Sequence, residues 1–229
     1  MSKEHIIKPI AHIRSDFATK FGIPRQAGIV QTLESTLVFE PEYRDAEALR
    51  GIEGFSHLWL IWQFSENLRA GFSPTVRPPR LGGNERMGVF ATRSPFRPNA
   101  LGLSCVRLIG LEQTEEFGTV LHLAGADLMD GTPIYDVKPY VPYADCHPEA
   151  LSGFAADSGK TLNVRFAEGL KEKVPGGKLE ALTGVLANDP RPRYQHDPER
   201  VYAMEFAGLD VKFSVDGEEL TVKDITKKD

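Results

Sequence analysis

A mainly β fold is predicted, a closed or nearly closed β-barrel followed by a small α+β unit, and three observations predict it. Short apolar and β-branched runs recur before Tyr143, separated by glycine and proline. Helical periodicity is scarce before His147. The composition then changes, and a helical stretch and a hairpin signal follow.

The elements follow in order. Residues 6–13 are apolar with polar interruptions and lead into a loop that ends Phe21-Gly22-Ile23-Pro24-Arg25-Gln26. Ser35-Thr36-Leu37-Val38-Phe39 reads as a strand by its β-branched content. Residues 41–50 carry alanine and acids behind a proline and stop at Gly51, the start and stop signals of a short helix. Residues 55–64 are apolar at both parities, as in a strand buried on both faces. Residues 71–84 are too rich in proline and glycine to be regular. Strands are expected at 87–91, 101–111 and 119–123. Beyond them, 179–186 reads as a helix, and 201–206, 209–215 and 220–225 as strands, the last two joined by the Asp216-Gly217 turn. The division expected is 1–150 and 165–229.

Composition narrows the function. The 229 residues are 41% hydrophobic with a net charge of −5, ordinary for a globular protein of one large or two unequal domains. No apolar run approaches the roughly 20 residues of a membrane span, and the first residues lack a signal-peptide layout. Two cysteines, Cys105 and Cys146, fit a reducing compartment. A cytoplasmic protein without membrane contact is expected. Against the acidic total, residues 77–97 hold Arg77, Arg80, Arg86, Arg93 and Arg97 with Glu85 as their one acid. Arginine is the side chain suited to bidentate phosphate contacts and to stacking on bases.

Several signatures are missing. There is no glycine-rich dinucleotide fingerprint, no phosphate-loop lysine and no nucleophile elbow. Cys146-His147 is a lone pair without metal-ligand spacing, so no metal is expected. Three polar stretches stand out instead. Residues 88–99 run from a strand into Arg93 and Arg97, each followed within two residues by a proline. Residues 127–140 place Asp127, Asp130 and Asp136 around a turn, able to accept from hydroxyls and amines or simply to cap the turn. Pro24-Arg25-Gln26 is a donor-rich loop.

These stretches resemble the TsaA-like family. The resemblance is carried by residues 88–99 with Leu101-Gly102-Leu103-Ser104, by residues 51–59, by Arg77-Pro78-Pro79-Arg80-Leu81-Gly82-Gly83-Asn84, and by Asp130-Gly131-Thr132-Pro133. Over its whole length the chain is similar to the bacterial TrmO-type members, and Asp189-Pro190-Arg191-Pro192-Arg193-Tyr194 matches their C-terminal motif. The resemblance implies an S-adenosylmethionine-dependent methyltransferase acting on N6 of threonylcarbamoyladenosine beside the tRNA anticodon. It also implies a single-sheet β-barrel that binds the cofactor, a small C-terminal domain and a homodimer. Carried over by motif, the cofactor contacts are Pro24, Arg25, Gln26, Ser65, Glu66, Arg93, Leu103, Ala124, Gly125, Ala126 and Asp127. Ser65-Glu66 departs from the His-Gln of some relatives, which removes any imidazole role there. A non-catalytic β-barrel that binds RNA or regulates is the alternative, separated by titration with S-adenosylmethionine.

A sulfonium is already an activated methyl donor, so the enzyme's main task is alignment. The N6 of a urea-like group is a poor nucleophile, and an acceptor for its proton would help. Asp130, Asp136 and His57 are the candidates for that role. For the RNA anticodon loop the candidates are Arg77, Arg80, Arg97, Arg191, Arg193 and Tyr194, the last offering a ring for an unpaired base. Since the barrel motifs contain every expected cofactor contact, deletion from about residue 173 is expected to spare cofactor binding.

Overall fold

The computed structural model describes residues 5–67, 72–156, 159, 161–192, 195 and 197–228, with Arg80 described in its main chain only. Arg193 and Tyr194 lie outside the described residues. Twelve strands, two short α-helices and several 3₁₀ turns are found among the described residues.

Six strands join in a closed ring. They are β1 (Ala11–Arg14), β2 (Glu34–Phe39), β3 (His57–Gln63), β6 (Leu101–Thr114), β7 (Gly118–Ala124) and β8 (Pro133–Pro139), after a two-stranded hairpin of β4 (Thr75–Val76) and β5 (Met87–Gly88). The order is β1-β2-β7-β6-β3-β8, and β8 closes the circle by pairing with both β3 and β1. Every neighbouring pair is antiparallel. Ile13, Leu37, Leu58, Leu60, Leu121, Leu123 and Ile134 are sealed from solvent inside the ring. Burying each contributes about 1.5–3 kcal/mol.

Three expectations need correcting. Residues 57–63 are not buried on both faces: Leu58, Leu60 and Trp62 point inward and alternate with half-buried residues. The outward Trp59 is covered instead by the short helix α1 (Pro142–Asp145), donating its indole N–H to Asp145 Oδ2 at 3.1 Å. Residues 41–50 form two 3₁₀ turns, Pro41–Tyr43 and Ala46–Leu49, because Asp45 caps Glu47 and restarts the chain. Residues 87–91 are a two-residue strand and a 3₁₀ turn, Val89–Ala91.

A second sheet, β10 (Tyr202–Phe206), β11 (Leu209–Asp216), β12 (Glu219–Lys227) and the parallel β9 (Asn163–Phe166), packs with α2 (Leu179–Ala187). Its core does not stop at the C-terminal segment. Phe17, Val30 and Leu33, from the connection between β1 and β2, are buried in it. Phe17 meets Phe206 edge-on at 5.5 Å between centroids, the Ala207 N–H donates to the Asp16 carbonyl at 2.9 Å, and Lys178 Nζ pairs with Asp16 Oδ2 at 2.7 Å. Gly184 faces Val30 so closely that a Cβ would overlap the Val30 side chain. Residues 15–33 are thus held by the second core, although they leave from the ring.

Candidate functional site

An open cleft of about 2030 Å³ lies where the end of β3, the β4–β5 hairpin, residues 92–99, residues 151–155 and residues 190–192 meet the loop 24–26. Six charged side chains line it: Arg25, Arg77, Arg86, Arg93, Arg97 and Arg191. No carboxylate and no lysine joins them among the described residues. A cleft whose charges share one sign and sit in low-dielectric walls concentrates the opposite charge.

The local sequence builds each wall. Arg97 Nη1 donates to the Thr92 carbonyl at 3.0 Å, and the Ala100 N–H donates to the Arg97 carbonyl at 3.1 Å. Ala100 has φ 48°, a left-handed conformation that costs a residue with a Cβ roughly 1–2 kcal/mol. Its burial keeps it there, so residues 92–100 are a set turn and not a free loop. Arg93 donates to Gln26 Oε1, joining this turn to the loop 24–26.

Behind that loop the chain is knitted to β7's end. The Gly28 N–H donates to the Gly125 carbonyl at 2.8 Å, and the Gly125 N–H to the Leu33 carbonyl at 2.8 Å. Gly125 has φ 78°, and a Cβ on it would stand 3.2 Å from Gly28 Cα. Glycine is required twice over there, for the dihedral and for the approach. Asp127 accepts from Ser104 Oγ at 2.6 Å, which accepts in turn from Trp62 Nε1 at 3.0 Å. Burial raises the Asp127 carboxyl above the ordinary range, while Ser104, the Ala27 N–H and the Arg93 charge pull the other way. The balance favours the proton more than in water.

The expected residues fall into three groups. Arg25, Gln26 and Arg93 line the cleft; Ala124, Gly125, Ala126 and Asp127 lie behind them through the bonds just described. Pro24 precedes them in the loop. Ser65 and Glu66 form a 3₁₀ turn with Asn67, which lines the cleft, and Lys20 Nζ reaches Asn67 Oδ1 at 3.4 Å. Leu103 is 55% exposed and points out of the ring, opposite in parity to the buried Ser104.

The three candidate proton acceptors do not line the cleft. Asp130 takes the Ser15 N–H at 3.0 Å and faces Arg14, Asp136 takes the Val137 N–H and pairs with Lys138 at 3.0 Å, and His57 stands at the far end of β3 beside Ser56. Of the RNA candidates, Arg77 and Arg97 line the cleft. Arg191 also borders it but is only 8% exposed, its Nε and Nη2 forked onto Asp189 at 2.8 and 3.0 Å. Its carbonyl accepts from Arg25 Nη2 at 3.3 Å. The guanidinium therefore shapes the wall.

Sequence reasoning missed Gln63 and Tyr135. Gln63 lines the cleft, and its Oε1 accepts from the Tyr135 hydroxyl at 2.8 Å. A polar residue closing the apolar run 57–63 was the available signal. Ser104 and Trp62 were missed because the bond from Ser104 to Asp127 spans 23 positions and that from Trp62 to Ser104 spans 42.

A closed β ring lies beside an arginine-lined cleft with a half-buried carboxylate behind one wall, an arrangement suited to an anionic ligand. Comparison narrows this. Residues 12–146 match the tRNA-methyltransferase O N-terminal domain, and residues 160–228 the TrmO C-terminal domain. The chain belongs to the TrmO family. It is 41% identical over 216 residues to the tRNA (adenine(37)-N6)-methyltransferase of Escherichia coli K12, covering 90% of this chain and 91% of that one. It is 47% identical over 163 residues to the enzyme of that name from Eikenella corrodens, covering 71% and 92%. The crystal structure of TrmO from Pseudomonas aeruginosa superposes with a TM-score of 0.82 at 35% identity, covering 98% of this chain and 99% of that chain.

Proposed function

We propose that the cleft is where an S-adenosylmethionine-dependent methyltransferase methylates N6 of threonylcarbamoyladenosine at tRNA position 37. The observation that carries the reading is the arginine-only lining beside the knitted loops 24–28 and 124–127. The donor set suits the cofactor: a methionyl carboxylate needs cations, which Arg25 and Arg93 provide, and its amine and ribose hydroxyls need an acceptor, which Asp127 provides. Ser65, Glu66 and Leu103 belong to this site on the strength of the family motif. The ring is the cofactor-binding β-barrel domain, about 1–150, and 165–229 is the small C-terminal domain. The working form is a homodimer. Among the described residues no helix is long and apolar enough to cross a membrane.

When bound, S-adenosylmethionine supplies a methyl carbon to the N6 lone pair, and the carbon–sulfur electron pair returns to sulfur. This chain's residues set the geometry in which that happens. Gln63 holds the N6 proton: its Oε1 already accepts from Tyr135 and keeps a second lone pair free in direction. It orients the nitrogen without taking charge, and the proton leaves to water. Asp127, engaged by the amine or the ribose hydroxyls, would not bind the cationic ground state more tightly than the discharging transition state. Arg77, Arg80 and Arg97 hold the RNA phosphates.

Mass spectrometry of anticodon-loop nucleosides with and without this protein tests the reading. Loss of N6-methylated threonylcarbamoyladenosine on deletion is expected, and its persistence overturns it. A pH dependence follows from Asp127. Its folded pKa is raised, so the folded chain holds the proton more firmly than the unfolded one, and this group adds stability as pH falls through that pKa. The same protonation removes the acceptor. Cofactor affinity should therefore fall on acidification earlier than an ordinary carboxylate would allow, and in Asp127→Asn it should be weak and flat with pH. A wild-type affinity that does not change from neutrality to mildly acid pH would remove Asp127 from the site.

A further inference from the structure

The cleft carries a feature that methyl transfer does not use. Phe90 is 72% exposed and Phe72 54% exposed, and their rings stack at 6.2 Å between centroids with planes 25° apart. Both line the cleft. Phe90 is rigidly mounted. Val89, beside Phe90, is buried and donates its N–H to the Pro74 carbonyl at 2.9 Å, and Thr92 Oγ1 closes the 3₁₀ turn onto the Val89 carbonyl at 2.8 Å. The β4–β5 hairpin joins the arm after Phe72 to the arm before Phe90.

Arginines frame the two rings. Arg77 and Arg86 flank the hairpin strands, and Arg93 follows Phe90 by three positions. Arg86 is held by Thr75 Oγ1 at 2.9 Å, Arg97 by the Thr92 carbonyl and Arg93 by Gln26, all neutral oxygens. No described ion pair includes them, although the Arg93 charge is also felt by Asp127.

We propose that Phe90, backed by Phe72, is the platform on which an unpaired base of the RNA substrate stacks, next to the nucleotide that is methylated. The proposal rests on the tRNA reading and adds the contact that splays the loop. Every base has a π face, so a ring can hold a neighbour without reading it, while arginines on either side hold the phosphates. Unpaired loop bases are what proteins stack on aromatic side chains in RNA. A second copy of this chain is the poorer occupant. A twofold contact would bring this arginine-only surface against itself, with like charges facing.

The test uses the full-length protein and a tRNA carrying threonylcarbamoyladenosine 37. Phe90→Ala should weaken tRNA binding about 5- to 150-fold, the worth of one base stack. Phe90→Leu should lose nearly as much, because it keeps apolar area but no ring, and Phe90→Trp should bind as wild type does. All three should keep the wild-type salt slope, whereas Arg77→Gln should lower it by about 0.7–0.9. Calorimetric affinity for S-adenosylmethionine and the sedimentation coefficient should not move. An abasic nucleotide on one side of position 37 should weaken wild type and leave Phe90→Ala no weaker, as a shared contact requires. Wild-type affinity in Phe90→Ala, or in Phe90→Leu, overturns the proposal. A shift of Phe90→Ala to a smaller assembly overturns it in favour of an interface between copies. A wild-type protein that leaves this tRNA unmethylated overturns the underlying reading instead.

Discussion

Removing residues 173–229 is expected to abolish S-adenosylmethionine binding, against the sequence-based expectation that the barrel alone would suffice. The connection 15–33, which carries Pro24-Arg25-Gln26, has its apolar side chains in the other core. Truncation would expose Phe17, Val30 and Leu33, a loss of about 1.5–3 kcal/mol for each. It would also remove the Lys178–Asp16 pair and the Arg191 carbonyl that receives Arg25. The ring has its own core around Leu58, Leu60 and Leu121, so the far-ultraviolet signature of strand should survive while calorimetry detects no cofactor. Undiminished binding by the truncated chain would mean that the bonds from Gly28 and Leu33 to Gly125 hold the loop unaided.

Gly125→Ala should cost about 1–3 kcal/mol of stability and at least tenfold in cofactor affinity. A residue with a Cβ resists φ 78°, and the added methyl would press on Gly28 Cα at 3.2 Å and Gly28 N at 3.3 Å. Neither is the end of a flexible side chain, so the backbone must move. The segment that moves leads to Gln26, which receives Arg93. Misplacement of such a loop by 1 Å can cost about 100-fold. Gly131→Ala is the matching control, since it also has φ 75° but its Cβ would meet nothing within 4 Å. Equal effects of the two on affinity would show that dihedral strain alone is felt and that the Gly28 contact is unimportant.

Much of the ring was legible in the chain itself. Runs such as 101–111 and 119–123 declare strands because side-chain alternation is a property of a few consecutive residues. The Asp216-Gly217 turn and the helix 179–187 are likewise written locally. The arginine cluster 77–97 supplies Arg77, Arg86, Arg93 and Arg97 to the cleft, and its one acid, Glu85, does not line it. β8 was not legible. Asp136, Lys138 and two prolines make 133–139 look like a turn, and only pairing with β1 and β3, more than 70 positions away, makes it the strand that closes the ring.

The same reason separates the motif residues that line the cleft from those that do not. Asp130, Asp136 and His57 have the right chemistry, but the strands that carry Asp136 and His57, and the turn before β8 that carries Asp130, decide which way they face. Arg191 belongs to a cationic motif, yet Asp189 two positions earlier takes its guanidinium into the wall. Residues 15–33 leave a ring strand, yet Phe17, Val30 and Leu33 are buried among side chains that run from Leu170 to Ile225. Local patterning decides that a side chain is apolar, charged or able to turn the chain. Which partner it meets depends on burial gained between segments remote in sequence, and that burial exists only once both segments have folded against each other.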